Sequence, residues 1–119
     1  MIIDDSLTNR VLLKAVLDDM DLNVIEVHSG MKALRLLKDY TPDIILLDMC
    51  MPQMSGLDFL QELKKLGRKI PVIVTSVLDD KNYINQALKM GACEYVLKPF
   101  DVNKLLCLIA NYTEVELSN

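Results

Sequence analysis

Each of four short apolar runs in this chain ends on a residue that can carry chemistry, and that repetition leaves few folds open. Ile44-Ile45-Leu46-Leu47 ends at Asp48, Ile2-Ile3 at Asp4-Asp5, Val72-Ile73-Val74 at Thr75, and Tyr95-Val96-Leu97 at Lys98-Pro99. An unbroken aliphatic run with β-branched residues fits a strand covered on both faces, as strands inside a parallel sheet are. Parallel strands share one carboxyl edge, and open α/β sheets place their ligands outside that edge. The pattern therefore predicts one site that gathers an acidic pair, a third acid, a hydroxyl and an ammonium.

Amphipathic segments fill the intervals. A helix is expected from Thr8, as N-cap, through Val11, Leu12, Ala15, Val16 and Met20, followed by a second strand over Asn23–Val27. Gly30–Asp39 reads as a helix with Ala33, Leu34, Leu36 and Leu37 inward, and Gly56–Lys65 as another carrying Leu57, Leu60 and Leu63. Pro71 opens the fourth strand. A fourth helix runs from near Asp80 to Met90, with Gly91 as its stop. Glu94–Leu97 is the fifth strand, and Asp101 caps a last helix bearing Leu105, Leu106 and Ile109. Strands alternating with helices predict an α/β fold: a doubly wound five-stranded parallel sheet with five helices on its two faces. Residues 1–119 read as one domain. The polar tail from Tyr112 onward, 113–119 above all, is expected to fray. Ile2-Ile3 is short for a central strand and suggests that a few leading residues are missing from the first strand.

Composition removes several classes of function. The formal net charge is −4 with no basic stripe, which argues against direct nucleic-acid binding by this segment. No apolar stretch approaches a membrane span, and no signal-peptide pattern opens the chain. Cys50, Cys93 and Cys107 are odd in number and widely spaced, so they read as reduced, inert thiols of a cytoplasmic protein. His28, with no acid or cysteine beside it, reads as structural or solvent-facing. Met49, Met51 and Met54 read as packing residues.

Three carboxylates at one edge repel one another, and a hard divalent cation relieves that cost; all-oxygen ligation suits Mg²⁺ or Mn²⁺. A cation on one side and Lys98 on the other would bracket an oxyanion, with Thr75 donating to a further oxygen. That is equipment for phosphoryl transfer, with Asp48 as the nucleophile. Taken singly, the residues are bland. Asp4-Asp5 before Ser6 reads as a helix-capping turn, Thr75 as an ordinary strand residue and Tyr95 as a packed aromatic. Their joint placement outweighs those readings.

The set Asp4-Asp5, Asp48 with Met51-Pro52-x-Met54-x-Gly56, Thr75, and Gly91-Ala92-x-x-Tyr95-x-x-Lys98-Pro99-Phe100 resembles the receiver domain of two-component response regulators over essentially the whole chain. The resemblance implies a flavodoxin-like sheet of order 2-1-3-4-5 and Asp48 as phospho-acceptor. It implies Asp4 and Asp5 as metal-binding acids, with Asp5 a direct ligand beside Asp48 and the Cys50 backbone carbonyl. Thr75 would be the switch hydroxyl, Tyr95 the switch aromatic and Lys98 the phosphoryl-contacting lysine, on a cis Lys98–Pro99 bond. The implied partners are a histidine kinase or histidine phosphotransfer protein as donor, and an effector domain or target on the face of the fourth helix, fifth strand and last helix. A phosphorylation-linked dimer is also open. Such a phosphoprotein is no enzyme beyond its own phosphorylation and slow dephosphorylation. Ser76 stands where the family has a small apolar residue. Two other functions compete: an aspartyl-phosphate phosphatase of the haloacid-dehalogenase kind, which wants an acid where Cys50 stands, and a degenerate receiver that only binds. Pathway, cognate kinase, oligomeric state and output are not legible in the chain.

Overall fold

Successive residues of a strand face opposite ways, and that parity sorts the core into two layers. The computed structural model describes residues 1–20 and 22–113. Five strands, β1 (Ile2–Ile3), β2 (Glu26–Val27), β3 (Ile45–Asp48), β4 (Val72–Ser76) and β5 (Glu94–Leu97), alternate with five helices. These are α1 (Leu7–Asp18), α2 (Gly30–Leu36), α3 (Gly56–Lys65), α4 (Lys81–Lys89) and α5 (Val102–Thr113). The sheet is parallel throughout, in the order β2-β1-β3-β4-β5. Ile3, Ile45, Leu47, Val72 and Val74 point to one side, where Ala33, Leu37, Phe59, Leu60, Leu63 and Ala87 close over them. Ile2, Leu46 and Ile73 point to the other, under Leu13, Leu17, Leu105 and Ile109. Thus α2, α3 and α4 cover one face and α1 and α5 the other; β1, β3 and β4 are buried on both sides, while the edge strands β2 and β5 are only partly covered.

The register Ile3↔Leu47 and Asp48↔Thr75 brings the strand ends level at one edge. Local signals fix where the helices begin. Ser55 and Asp58 form a capping box at the start of α3, each side chain accepting from the other's backbone N–H. Asp80 caps α4 and accepts from Asn82 N–H at 2.7 Å; Asp101 accepts from Asn103 and Lys104 N–H ahead of α5. Gly91 follows α4 at φ +111°, a backbone that L side chains rarely adopt.

Several boundaries differ from the sequence reading. The cap of α1 is Ser6, not Thr8: Ser6 is extended and its hydroxyl accepts from Asn9 N–H. The inward residues are Leu13, Leu17 and Met20 rather than Val11 and Leu12, and Leu7, Val11 and Leu12 stand 65%, 59% and 50% exposed. Only Glu26–Val27 of the expected second strand pairs, because its partner β1 offers two residues (Ile2↔Glu26, Ile3↔Val27). Helix α2 ends at Leu36, which faces solvent, while Leu37 closes the stripe with Ala33. Tyr112 and Thr113 belong to α5 rather than to a frayed tail; Tyr112 Oη donates to Glu94 Oε1 at 3.1 Å. The rest of the expected tail, 114–119, lies outside the described residues. Among the described residues no helix is long and apolar enough to cross a membrane.

Candidate functional site

Asp4 follows β1 directly and is almost wholly tied down. Its N–H donates to the Val27 carbonyl at 3.1 Å, its carbonyl accepts from Arg10 Nη1 at 2.6 Å, and its Oδ1 accepts from Ser6 N–H at 2.9 Å. Its Oδ2 is buried with no hydrogen-bond partner. Lys98 Nζ stands 3.6 Å from that oxygen, an ion pair too long to count as a hydrogen bond. Asp48, buried at the end of β3, turns Oδ1 to Cys50 N–H at 3.2 Å and to Lys98 Nζ at 3.4 Å. Asp5 is exposed, yet Asp4, Asp5 and Asp48 each bring a carboxylate oxygen within 4.8 Å of the others.

The charge state follows from that crowding. Burial, and after it the Asp4 charge, pushes the Asp48 carboxyl above its ordinary value. Lys98 and the Cys50 amide pull it back only in part. One ammonium for three carboxylates leaves the edge net negative. An orphaned buried oxygen on Asp4 and an all-oxygen donor set fit a hard divalent cation.

Across the edge, Thr75 is buried beside Asp48 in the β3–β4 register. Ser76, also buried, accepts from Leu78 N–H at 3.0 Å, so its hydroxyl closes the turn that leaves β4. The Leu78 carbonyl in turn accepts from Tyr95 Oη at 2.8 Å. Tyr95 is half-buried against the core under α4. The Lys98–Pro99 peptide is cis, and Lys98 N–H donates to the Ser76 carbonyl at 2.7 Å. The residues assigned to metal, phosphoryl and switch roles, Asp4, Asp5, Asp48, Cys50, Thr75, Tyr95 and Lys98, therefore lie at one edge or just behind it. His28 is exposed, and the three thiols are free; Cys50 and Cys107 face solvent rather than packing as apolar residues. Met49 is buried under α3, and Met51 and Met54 pack beside it.

A cavity of about 420 Å³ opens elsewhere, at the start of β4, among Leu63, Lys64, Lys69, Pro71, Lys89 and Gly91. Its lining has no carboxylate, thiol or hydroxyl, and the acidic edge is where the residues assigned to metal, phosphoryl and switch roles converge.

The family model for the response regulator receiver domain matches residues 1–110. The chain belongs to the receiver-domain family. Among relatives of this receiver, the chemotaxis protein CheY of Listeria monocytogenes is 31% identical over 107 residues, covering 89% of the chain and 90% of CheY. The sporulation initiation phosphotransferase F of Bacillus subtilis is 29% identical, covering 94% and 90%. In three dimensions the receiver domain of Francisella response regulator 1452 superposes with a TM-score of 0.89 at 26% identity, over 95% of this chain and 93% of that one.

Two contributors to the edge escaped the sequence reading. Ser6 and Arg10 both hold Asp4, and Arg10 Nε also pairs with Glu26 Oε1 at 3.5 Å. A signal for Arg10 existed: helical side chains lean toward the amino end, so a long cation in the first turns of α1 reaches back to the strand it follows.

Proposed function

We propose that this receiver takes a phosphoryl group onto Asp48 from a histidine kinase or histidine phosphotransfer protein, with Mg²⁺ or Mn²⁺ bound, and reports it on the α4–β5–α5 face. The observation that carries the reading is the cluster Asp4, Asp5 and Asp48 with a buried, unpartnered Oδ2 on Asp4 and Lys98 beside it. In the transfer, the P–N bond of the phosphohistidine breaks as a P–O bond to the Asp48 carboxylate forms, and the electron pair leaves with the imidazole nitrogen. Asp5, Asp48 and the Cys50 carbonyl would hold the cation, helped by Asp4. When bound, it neutralises carboxylate and phosphoryl oxygens as a Lewis acid. Lys98 would follow the charge onto the phosphoryl group, and the Thr75 hydroxyl would donate to another of its oxygens.

The donor has a surface to meet. Leu7, Val11 and Leu12 stand exposed on α1, which begins just past Asp5. The receiver is no turnover enzyme in this reading. It catalyses only its own phosphorylation and the later hydrolysis. Family membership favours it over the phosphatase alternative, and Cys50 supplies no second acid.

Acetyl phosphate with Mg²⁺ should add one phosphoryl group to the intact protein, seen by mass, and none to Asp48→Asn or to wild type in EDTA. Equal labelling of Asp48→Asn would move the acceptor elsewhere. No labelling of wild type would leave a receiver that only binds. Val11→Asp should keep acetyl-phosphate labelling while slowing transfer from the protein donor.

A further inference from the structure

We propose that Arg10 is a positioning residue for cation binding, holding the Asp4–Asp5 peptide so that Asp5 faces the site; this rests on the proposed cation-binding role of the acidic pair. The peptide group is planar, so fixing the Asp4 carbonyl also fixes the N–H and Cα of Asp5, the point from which the Asp5 side chain leaves. Arg10 Nη1 fixes that carbonyl at 2.6 Å, and Arg10 Nε rests on Glu26 Oε1 at 3.5 Å. The guanidinium is largely enclosed, with 15% of the Arg10 side chain exposed. Its planar fork matches two acceptors at once, one on the loop after β1 and one on β2.

Asp5 needs such help. Asp4 is held through three of its polar groups, whereas among the described residues no hydrogen bond or ion pair ties the exposed Asp5 side chain. Its place in the cluster depends on its backbone, and on the Asp5 side of Asp4 that backbone is held by Arg10. Residues that orient ligands in this way are worth about 10- to 100-fold in metal affinity.

The sign of the effect separates positioning from charge alone. Arg10 carries a positive charge near a cation site, so a purely coulombic arginine would weaken binding and its removal would tighten it. A positioning arginine does the reverse. A merely structural arginine, tying α1 to β2, would lower thermal stability and leave affinity unchanged.

The test is Mn²⁺ binding followed by electron paramagnetic resonance of the free ion, on wild type, Arg10→Ala, Arg10→Lys and Asp5→Ala, with the melting temperature of each metal-free protein. Wild type should bind and Asp5→Ala should lose most of that binding. Arg10→Ala should bind roughly tenfold more weakly. Arg10→Lys keeps the charge but reaches only one acceptor, and should fall between the two. If Arg10→Ala binds as tightly as wild type, or tighter, while Asp5→Ala is impaired, the proposal is overturned and the cation site stands. If wild type does not bind, or Asp5→Ala binds as wild type does, both readings fall. Should Arg10→Ala fail to fold, Arg10→Lys decides: unchanged affinity there overturns the proposal.

Discussion

Asp48 is held at a cost that its own neighbours create. Its carboxyl is raised by burial first and by the Asp4 charge second, with Lys98 and the Cys50 amide opposing. A carboxyl that binds its proton more tightly folded than unfolded favours the fold while it is protonated, below the unfolded value of about 3.9. That advantage is lost as pH rises through the raised folded value, so at neutral pH the Asp48 charge strains the metal-free protein. Asp48→Asn removes the charge at every pH, and Lys98 keeps Asp4 as a partner. Without metal at neutral pH, the variant should melt roughly 3–6 °C above wild type. The difference should close as pH falls below about 4, and Mg²⁺ should raise the melting temperature of wild type only. A variant no more stable than wild type at neutral pH would show that Lys98 and the Cys50 amide fully offset the crowding. At this scale the strand-end residues were legible because an apolar run marks each of them. Ser6 and Arg10 were harder to see: Ser6 acts through its own backbone N–H on Asp4 Oδ1, which residue type does not announce, and Arg10 through the Asp4 carbonyl, signalled only by the lean of helical side chains toward the amino end.

Elements were legible where one strong signal stood alone. The boundaries of α3 and β5 match the reading because the Ser55–Asp58 box starts the first, and a short run between Gly91 and Pro99 can only be the second. Helix α1 was misread because Leu7, Val11, Leu12, Leu13, Val16 and Leu17 put apolar residues around most of its circumference, and the cap sits two residues earlier than Thr8. The link between β4 and α4 carries Ser76, the residue that departs from the pattern the resemblance implies. The Ser76 hydroxyl holds Leu78 N–H while the Leu78 carbonyl holds Tyr95 Oη. A switch role for Tyr95 therefore starts from a tyrosine already half-buried and latched to the loop. In this chain the serine should bias Tyr95 toward that seat. Ser76→Ala leaves Leu78 N–H without its acceptor, a loss of about 1 kcal/mol, or roughly 4 °C in melting temperature. The Tyr95 ring resonances should move toward a solvent-exposed environment. If both stay as in wild type, the loop holds Tyr95 without the serine.

Over the whole molecule, the two sides of the sheet treat a change at Asp48 differently. The alternation of strands and helices made a doubly wound parallel sheet legible, but the order 2-1-3-4-5 came with the family resemblance, because alternation alone does not say which strands become neighbours. That order sets β1 on one flank of β3 and β4, then β5, on the other. On the β1 flank, Asp4 is pinned through its N–H, its carbonyl and Oδ1. On the β4 flank, Thr75 pairs with Val96 and Ser76 with Leu97, and Lys98 N–H closes on the Ser76 carbonyl. A hydroxyl at Thr75 drawn toward a phosphoryl oxygen would pull on β5 directly, and through the Leu78–Tyr95 bond on the entry to α4. The change should travel as a shift between two packings of α4, β5 and α5 rather than a loosening of the core. Beryllofluoride, a phosphoryl mimic, added with Mg²⁺ should move the amide resonances of Lys89, Tyr95 and Lys104, far from Asp48 in sequence. Those of Leu17 and Leu36, on α1 and α2 behind the pinned flank, should stay close to their starting positions. Shifts confined to the loops around Asp5, Asp48 and Lys98 would mean that this receiver binds the group without passing it on. Equal shifts at Leu17 and Tyr95 would mean that the β1 flank is no anchor.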